Sequence, residues 1–368
     1  MISTARQHAP ATQRTLIPRT TPERQQASLG TNSLEQDTRL AQKLLGKWDY
    51  DIENGEGGEK PHPEKTVLYL AYGSNMDTET FTGKRGIRPV SLVNVYVPEL
   101  RLTFDLAALP YLEPCYATVR YRHVPDGREH HDPGDGDGDE KQPLVHEDEH
   151  NEDRKRWNKP LVGVVYELTA CDYAWMISTE SGGRGYRSGT VTCYPFPESY
   201  DPADEVPDRP TTQPFQAQSL LSLVADDDSD LEAGCALDLS SSSVADPRIR
   251  PNPSYGQPSE RYHKLLYSGA VESDLPFSYR DYLLQTHEYQ ITTSRQRIGK
   301  MIFIGIWGPL FNLFGYLSKT YAQPDGYSPP WLALASTIVY TFMWKFYDMF
   351  FVKVFGDGGR TIGDLYES

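Results

Sequence analysis

Apolar runs and alternating positions divide this chain into elements before any chemistry is considered. Stretches rich in Val, Leu, Ile, Tyr and Phe, separated by polar turns, occupy 66–72, 89–97, 100–106, 115–122, 161–169 and 190–195. Their lengths and β-type composition predict strands. Gln213-Pro-Phe-Gln-Ala-Gln-Ser-Leu-Leu221 adds one more, since its first residues alternate polar and apolar. Helical spacing is sparser. Thr169 precedes a helix-like stretch from Ala170 to Thr179, and Ser259 is an N-cap signal before Tyr262, Leu265 and Leu266, which share one helical face. Asp274 and Pro276 start another helix, with Tyr279, Tyr282 and Leu283 as its buried stripe. Ser33 to Leu45 reads as a short capped helix. Consecutive strands with few helices between them lack the βαβ alternation of a Rossmann fold. The expected fold class is α+β: a small mixed or antiparallel β-barrel with peripheral helices.

The C-terminal pattern differs in kind. Met301 to Leu317 is seventeen residues without a charge, and Trp331 to Trp344 is another fourteen. A spanning helix needs about twenty apolar residues, so the first run is borderline and the second is interrupted by Lys345 and Asp348. Trp307, Trp331 and Trp344 suit an interfacial belt. The expectation is a membrane-associating helical hairpin, whether spanning or interfacial. Arg295, Arg297, Lys300, Lys353 and Arg360 flank it, while the connecting loop carries only Lys319 and Asp325. By the positive-inside rule both ends, and the rest of the chain, face the cytoplasm.

Composition sharpens this division into 1–63 as a disordered tail, 64–292 as the globular domain, and 293–368 as hairpin and tail. The net charge of −15 argues against nucleic acid as a partner. Twelve acidic residues fall between Asp126 and Asp153, which no core absorbs. Acidic, Pro- and Ser-rich insertions are therefore expected at about 124–157 and 197–257. Asp135, Asp137 and Asp139 have the spacing of a calcium loop, but Glu140 and His146 stand where its glycine and final glutamate belong. No metal is expected. Cys115, Cys171, Cys193 and Cys235 show no C-x-x-C pairing and read as small buried residues. The first twenty-two residues carry Arg6, Arg14 and Arg19 and no acid, a loose match to a mitochondrial presequence that ranks below a cytosolic tail.

Two segments carry candidate chemistry. The strand ending in Ala71 breaks into Tyr72-Gly73-Ser74-Asn75, where a rigid strand presents donors and acceptors on a tight turn. The helix ending at Thr179 breaks into Glu180-Ser-Gly-Gly-Arg-Gly-Tyr186. In this order the pair resembles the γ-glutamyl cyclotransferase family, in particular its fungal branch found with sulfur-containing secondary metabolites. The resemblance continues through Pro98 to Asp105, Tyr111 to Ala117 and Pro258 to Leu266, and spans roughly residues 66 to 290.

The resemblance implies a barrel with peripheral helices and a cofactor-independent reaction. In it the α-amine of a γ-glutamyl group attacks its own γ-carbonyl, releasing 5-oxoproline and an amine. The implied substrate is a γ-glutamyl amine, peptide or glutathione-like conjugate. Glu180 takes the family's catalytic carboxylate position, as base and then acid. Gly73, Ser74 and Asn75 would bind the glutamyl carboxylate or the developing oxyanion. Tyr72 would line the pocket, Gly182 and Gly183 would permit the turn, and Tyr186 would close over the substrate. An ordinary Glu has a pKa of about 4.3 against about 7.8 for an α-amine. An apolar pocket around Glu180 is therefore expected, to narrow that gap. Ser181 departs from the glycine the family tends to carry there, and Arg184 adds a cation, either a carboxylate ligand or a solvent-facing residue. A catalytically inactive, membrane-tethered binding module for γ-glutamyl conjugates is the alternative.

Overall fold

A computed structural model describes residues 17–29, 66–122, 159–180, 187–221, 256–324 and 326–362. Among them, five strands close a barrel: β1 (Thr66–Ala71), β2 (Ser91–Val97), β5 (Leu161–Thr169), β6 (Arg187–Pro195) and β7 (Phe215–Leu221), in the order β1-β5-β2-β6-β7. Neighbours run antiparallel except β7 and β1, which meet in parallel at Tyr69 and Gln218 and close the ring. The expected mixed barrel is therefore the observed one. Near-continuous apolar strands such as β1 and β5 are buried on both faces, by the barrel interior and by the helices outside. Gly163 of β5 lets two strands approach closely, since a Cβ there would lie 2.5 Å from the Ala71 carbonyl oxygen.

β3 (Leu100–Leu109) and β4 (Glu113–Tyr121) have strand signals like the others but form a separate antiparallel hairpin outside the barrel. Four helices follow the sequence signals closely. α2 (Ala170–Thr179) is capped by Thr169, whose hydroxyl accepts from the Asp172 amide at 3.0 Å. α3 (Glu260–Glu272) is capped by Ser259, and α4 (Phe277–Gln285) buries Tyr279 and Leu283. α5 (Ser294–Thr320) starts with a capping box formed by Thr293 and Gln296.

Two expectations need correction. Residues 17–29, placed in a disordered tail, pack on the barrel. Leu92 donates its amide to the Pro18 carbonyl and accepts from the Thr20 amide, both at 3.0 Å, which extends β2 outward. α1 (Pro22–Gln26) then delivers Arg24 to Glu167 at 2.9 Å, and the same carboxylate accepts from Thr66 and Ser91 at 2.6 Å each. A polar segment with no apolar stripe is fixed here by backbone pairing with β2, by the Glu167 carboxylate, and by hydrogen bonds of Arg19 and Ser28 to the barrel strands and their ends. The second correction concerns the bounds 197–257 given to the insertion: they enclose the strand expected at 213–221, which is β7 and closes the barrel. The expected helix at 33–45 and the acidic run 124–157 lie outside the described residues.

The C-terminal pair consists of α5 and α6 (Pro330–Phe346), followed by a π-helical turn at Tyr347–Phe351 and α7 (Val352–Phe355). It packs on the β3–β4 hairpin through Tyr111, Phe303, Trp307, Met343, Trp344 and Phe351, all buried. The Tyr111 hydroxyl donates to the Gly356 carbonyl at 2.7 Å. At the far end of the pair Gly326, with φ +83°, sits so close to α2 that a Cβ would fall 1.9 Å from the Ala174 carbonyl oxygen. The pair is thus held at its base and at its tip. The opposite face of both helices is apolar and exposed, including Met301, Ile306 and Leu313 of α5 and Leu334, Ile338 and Phe342 of α6.

Candidate active site

β1 ends at Ala71 and the chain turns at once through Tyr72 and Gly73 into a 3-10 turn, Ser74–Met76. The Met76 amide donates to the Gly73 carbonyl at 3.0 Å, and the wholly buried Met76 side chain anchors the turn in the core. Two glycines let other elements press on it. A Cβ on Gly73 would sit 3.1 Å from the Tyr262 hydroxyl, and a Cβ on Gly269 of α3 would sit 2.6 Å from the Met76 backbone carbon. Both contacts come from α3, which therefore presses on the turn at two points. Asp77 continues the order by accepting from the Thr80 amide at 2.8 Å, which starts the π-helical turn Glu79–Lys84.

Glu180 is the residue at which α2 ends, its amide donating to the Met176 and Ile177 carbonyls at 3.1 Å. Its side chain is 20% exposed. One carboxylate oxygen lies 2.6 Å from Nη1 of Arg85 and accepts from Nδ2 of Asn75 at 3.1 Å. The same Asn75 nitrogen donates to the Tyr69 hydroxyl at 2.9 Å. Arg85 also donates to the Thr179 hydroxyl at 2.8 Å, so the guanidinium spans Thr179 and Glu180. The apolar surroundings expected for Glu180 are not found: its neighbours are a guanidinium, an amide and a phenol. The carboxylate requires such partners, because an unpaired charge at this burial is costly.

These groups share one cavity of about 310 Å³, within the range of small-molecule sites. Tyr72, Gly73, Ser74, Asn75 and Glu180 all line it. The structure thus gathers five of the eight sequence-nominated residues. Tyr72 is also tied down by its hydroxyl, which donates to the Leu220 carbonyl of β7 at 2.6 Å. Gly182, Gly183 and Tyr186, with Ser181 and Arg184, lie outside the described residues. Asn75 is 5% exposed and its Oδ1 is buried without a partner among the described residues.

Several lining residues were not singled out from the sequence. Arg85 is separated from Glu180 by the whole of β2 to α2, and only the fold joins them. Tyr69 lay in plain view in β1 but reads as a core strand residue. Burial, and then the charge of Glu180, pushes its phenol well above the ordinary value of 10.0. Burial does the same for Tyr262, and for Tyr116, where the Glu113 carboxylate adds to it. All three phenols therefore stay protonated at neutral pH. Lys84 and Arg261 also line the cavity, and each of its three cations has a carboxylate partner: Lys84 with Glu79 at 3.2 Å, Arg261 with Glu113 at 2.7 Å and Arg85 with Glu180 at 2.6 Å. Among the described residues no cluster of three or more His, Cys, Asp or Glu is arranged to hold a metal. Cys115 and Cys193 are buried, and burial pushes the Cys193 thiol up, away from reactivity.

A sequence-family profile described as the AclK C-terminal domain matches residues 293–354. Over 307 residues the chain is 30% identical to "Gamma-glutamyl cyclotransferase aclK" of Aspergillus oryzae, covering 81% of this chain and 92% of that protein. It is 28% identical over 302 residues to "Gamma-glutamyl cyclotransferase gliK" of Aspergillus fumigatus, covering 82% and 92%. Among solved structures it is similar to one described as "Gamma-glutamyl cyclotransferase", with 16% identity, a TM-score of 0.34, and coverage of 66% of this chain and 99% of that one.

Proposed function

The chain belongs to the γ-glutamyl cyclotransferase family, and on that premise we propose that it releases 5-oxoproline from a γ-glutamyl amine, peptide or glutathione-like conjugate. The observation that supports this reading is the convergence of Glu180 and Asn75, 3.1 Å apart, on one cavity rich in cations. Lys84, Arg85 and Arg261 suit the substrate's α-carboxylate. Oδ1 of Asn75 suits its α-ammonium, which is thereby held beside Glu180. Glu180 takes a proton from that ammonium, and the freed amine attacks the γ-carbonyl carbon. A C–N bond forms, the carbonyl oxygen takes the electron pair, and the protonated phenol of Tyr69 or an amide of the 73–75 turn donates to it. The pair then returns, the bond to the leaving amine breaks, Glu180 delivers its proton to that nitrogen, and the ring nitrogen gives up its second proton to the departing amine or to water, which leaves the neutral lactam. Holding both reacting ends of one flexible chain supplies much of the acceleration, since well-placed intramolecular reactions reach effective molarities of about 10⁵–10⁸ M.

The test is to incubate the purified chain with γ-glutamyl peptides and to measure 5-oxoproline and free amine. Equal release of both supports the proposal; neither product, with substrate still bound, supports the binding module instead. The Arg85–Glu180 pair at 2.6 Å is the observation that favours that second reading, because it occupies the carboxylate.

The outer face of α5 and α6 suits a lipid surface. By length and composition α5 is able to cross a membrane. A pair fixed to the barrel at base and tip instead suits an interfacial position, with exposed Leu334, Ile338 and Phe342 entering the bilayer and Arg295, Arg297 and Lys353 meeting anionic headgroups of the cytoplasmic leaflet. Flotation with anionic lipid vesicles tests this: wild type floats, and the double exchange Leu334→Glu with Ile338→Glu stays at the bottom. Equal flotation of the two contradicts it.

A further inference from the structure

The cavity has two unlike halves, and they come from different parts of the chain. Its polar half is the cluster of Tyr69, Asn75, Arg85 and Glu180, built by the barrel and its first turns. The other half is lined by Leu106 and Ala107 of β3, Tyr116 and Ala117 of β4, Leu265 of α3, and Tyr340 of α6. These six side chains are uncharged and suit an apolar substituent, while Arg261 of α3, one turn from Leu265 and paired with Glu113 at 2.7 Å, lines the cavity beside them. Tyr340 is the unexpected member, because α6 lies in the segment 330–346, outside the barrel and its attached hairpin.

The position of Tyr340 is fixed from behind. Its ring meets Phe311 of α5 edge-on, with centroids 4.8 Å apart at 63°. Four residues back along α6, Ser336 is buried, and three and four residues on, Met343 and Trp344 are buried against the β3–β4 hairpin. Tyr340 therefore shares the docked stripe of the helix, opposite the exposed face of Leu334, Ile338 and Phe342. Tyr340 also lies near enough to Tyr116 to contribute to the upward shift of that phenol, after burial and Glu113. The two tyrosines approach the cavity from separate elements.

We propose that α6 forms the leaving-group wall of the active site, and that Tyr340 is a specificity-determining residue that favours γ-glutamyl substrates whose leaving amine carries an aromatic or bulky apolar group. This rests on the γ-glutamyl reading of the polar half. With the reacting γ-carbonyl held near Glu180 and Asn75, the rest of the substrate extends toward the apolar half. The C-terminal pair then has two jobs on its two faces: the inner one selects substrate and the outer one remains for a surface.

The experiment compares the full-length wild type with Tyr340→Phe, Tyr340→Leu and Tyr340→Ala on γ-glutamyl-phenylalanine and γ-glutamyl-alanine. Two readouts are taken: kcat/KM for 5-oxoproline release, and equilibrium binding of both peptides to the same proteins carrying Glu180→Gln. Wild type and Tyr340→Phe are expected to prefer the phenylalanine peptide. That preference should fall about fivefold in Tyr340→Ala, the size of one lost aromatic contact, and partway in Tyr340→Leu, which retains apolar packing on Phe311. A preference that stays within twofold across the series, or an equal loss on both peptides, overturns the proposal. If no protein releases 5-oxoproline, the lactam-forming reading fails, and the binding ratio by itself decides the role of Tyr340 on the same thresholds.

Discussion

Gly269→Ala separates two physical effects of opposite sign at a residue that never touches the cavity. Gly269 is inside α3, three residues from its end. Helix propensity favours alanine there by about 1 kcal/mol. The structure opposes it, because the added Cβ would lie 2.6 Å from the Met76 backbone carbon and Cβ and 2.7 Å from the Asp77 nitrogen. Ordinary carbon contacts lie at about 3.5–4.0 Å, so the helix or the turn must retreat by about 1 Å. Overpacking of this kind costs about 1–3 kcal/mol, and the upper end applies because the neighbours are main chain and cannot rotate away. The net expectation is a loss of about 2 kcal/mol, or about 2–3 °C in the thermal midpoint for a chain of this size. Since the displaced turn carries Asn75, release of 5-oxoproline should fall by roughly tenfold or more, as a misplacement of about 1 Å is enough to cost that much. Thermal unfolding followed by circular dichroism, with kinetics on a γ-glutamyl peptide, reads both. A midpoint equal to or above wild type would refute the packing argument, because propensity alone predicts that outcome.

Arg85→Met strips Glu180 and Thr179 of their charged partner; stability should fall by about 1–3 kcal/mol, and Arg85→Lys should restore less than half of the lost kcat/KM, since an ammonium cannot reproduce the guanidinium fork. Urea midpoints and initial rates report these, and full activity in Arg85→Met would remove it from the site. At the barrel edge, burial tends to raise the pKa of Glu167, but hydrogen bonds from Ser91 and Thr66 and the charge of Arg24 outweigh it, so the net shift is below the ordinary 4.5. Its stabilisation is therefore complete above about pH 4.5 and lost as pH falls through the lower folded value. Glu167→Gln should lower the urea midpoint at pH 7 and flatten its decline on acidification; parallel declines would contradict this.

Much of the barrel was legible because its cues are local. Thr169 and Ser259 cap the helices they announce, and the run from Thr66 to Ala71 is the strand it resembles. The Tyr72 to Asn75 turn and Glu180 were legible for the same reason, since each marks an abrupt break in a periodic segment. What escaped was set by distant partners. Arg85 is an unremarkable arginine until the barrel closes and brings it within 2.6 Å of Glu180. Residues 17–29 carry no apolar periodicity, and distant partners, Glu167 and Thr66, give Arg24 a reason to be ordered. The strand signals of β3 and β4 carry no information on whether they join the barrel or leave it. The two-sided apolarity of α5 and α6 reads alike whether one face meets lipid or protein; the buried Phe303 and Trp307 show that one face meets protein.

The central claim is that Glu180 moves the proton in lactam formation, and Glu180→Gln tests it most directly because the amide keeps the shape and loses the base. With a γ-glutamyl peptide at saturation, the account predicts a fall in kcat for 5-oxoproline of about 10²–10⁴-fold, with equilibrium binding of the peptide changed only a few-fold. A variant that retains more than a tenth of the wild-type kcat would contradict it.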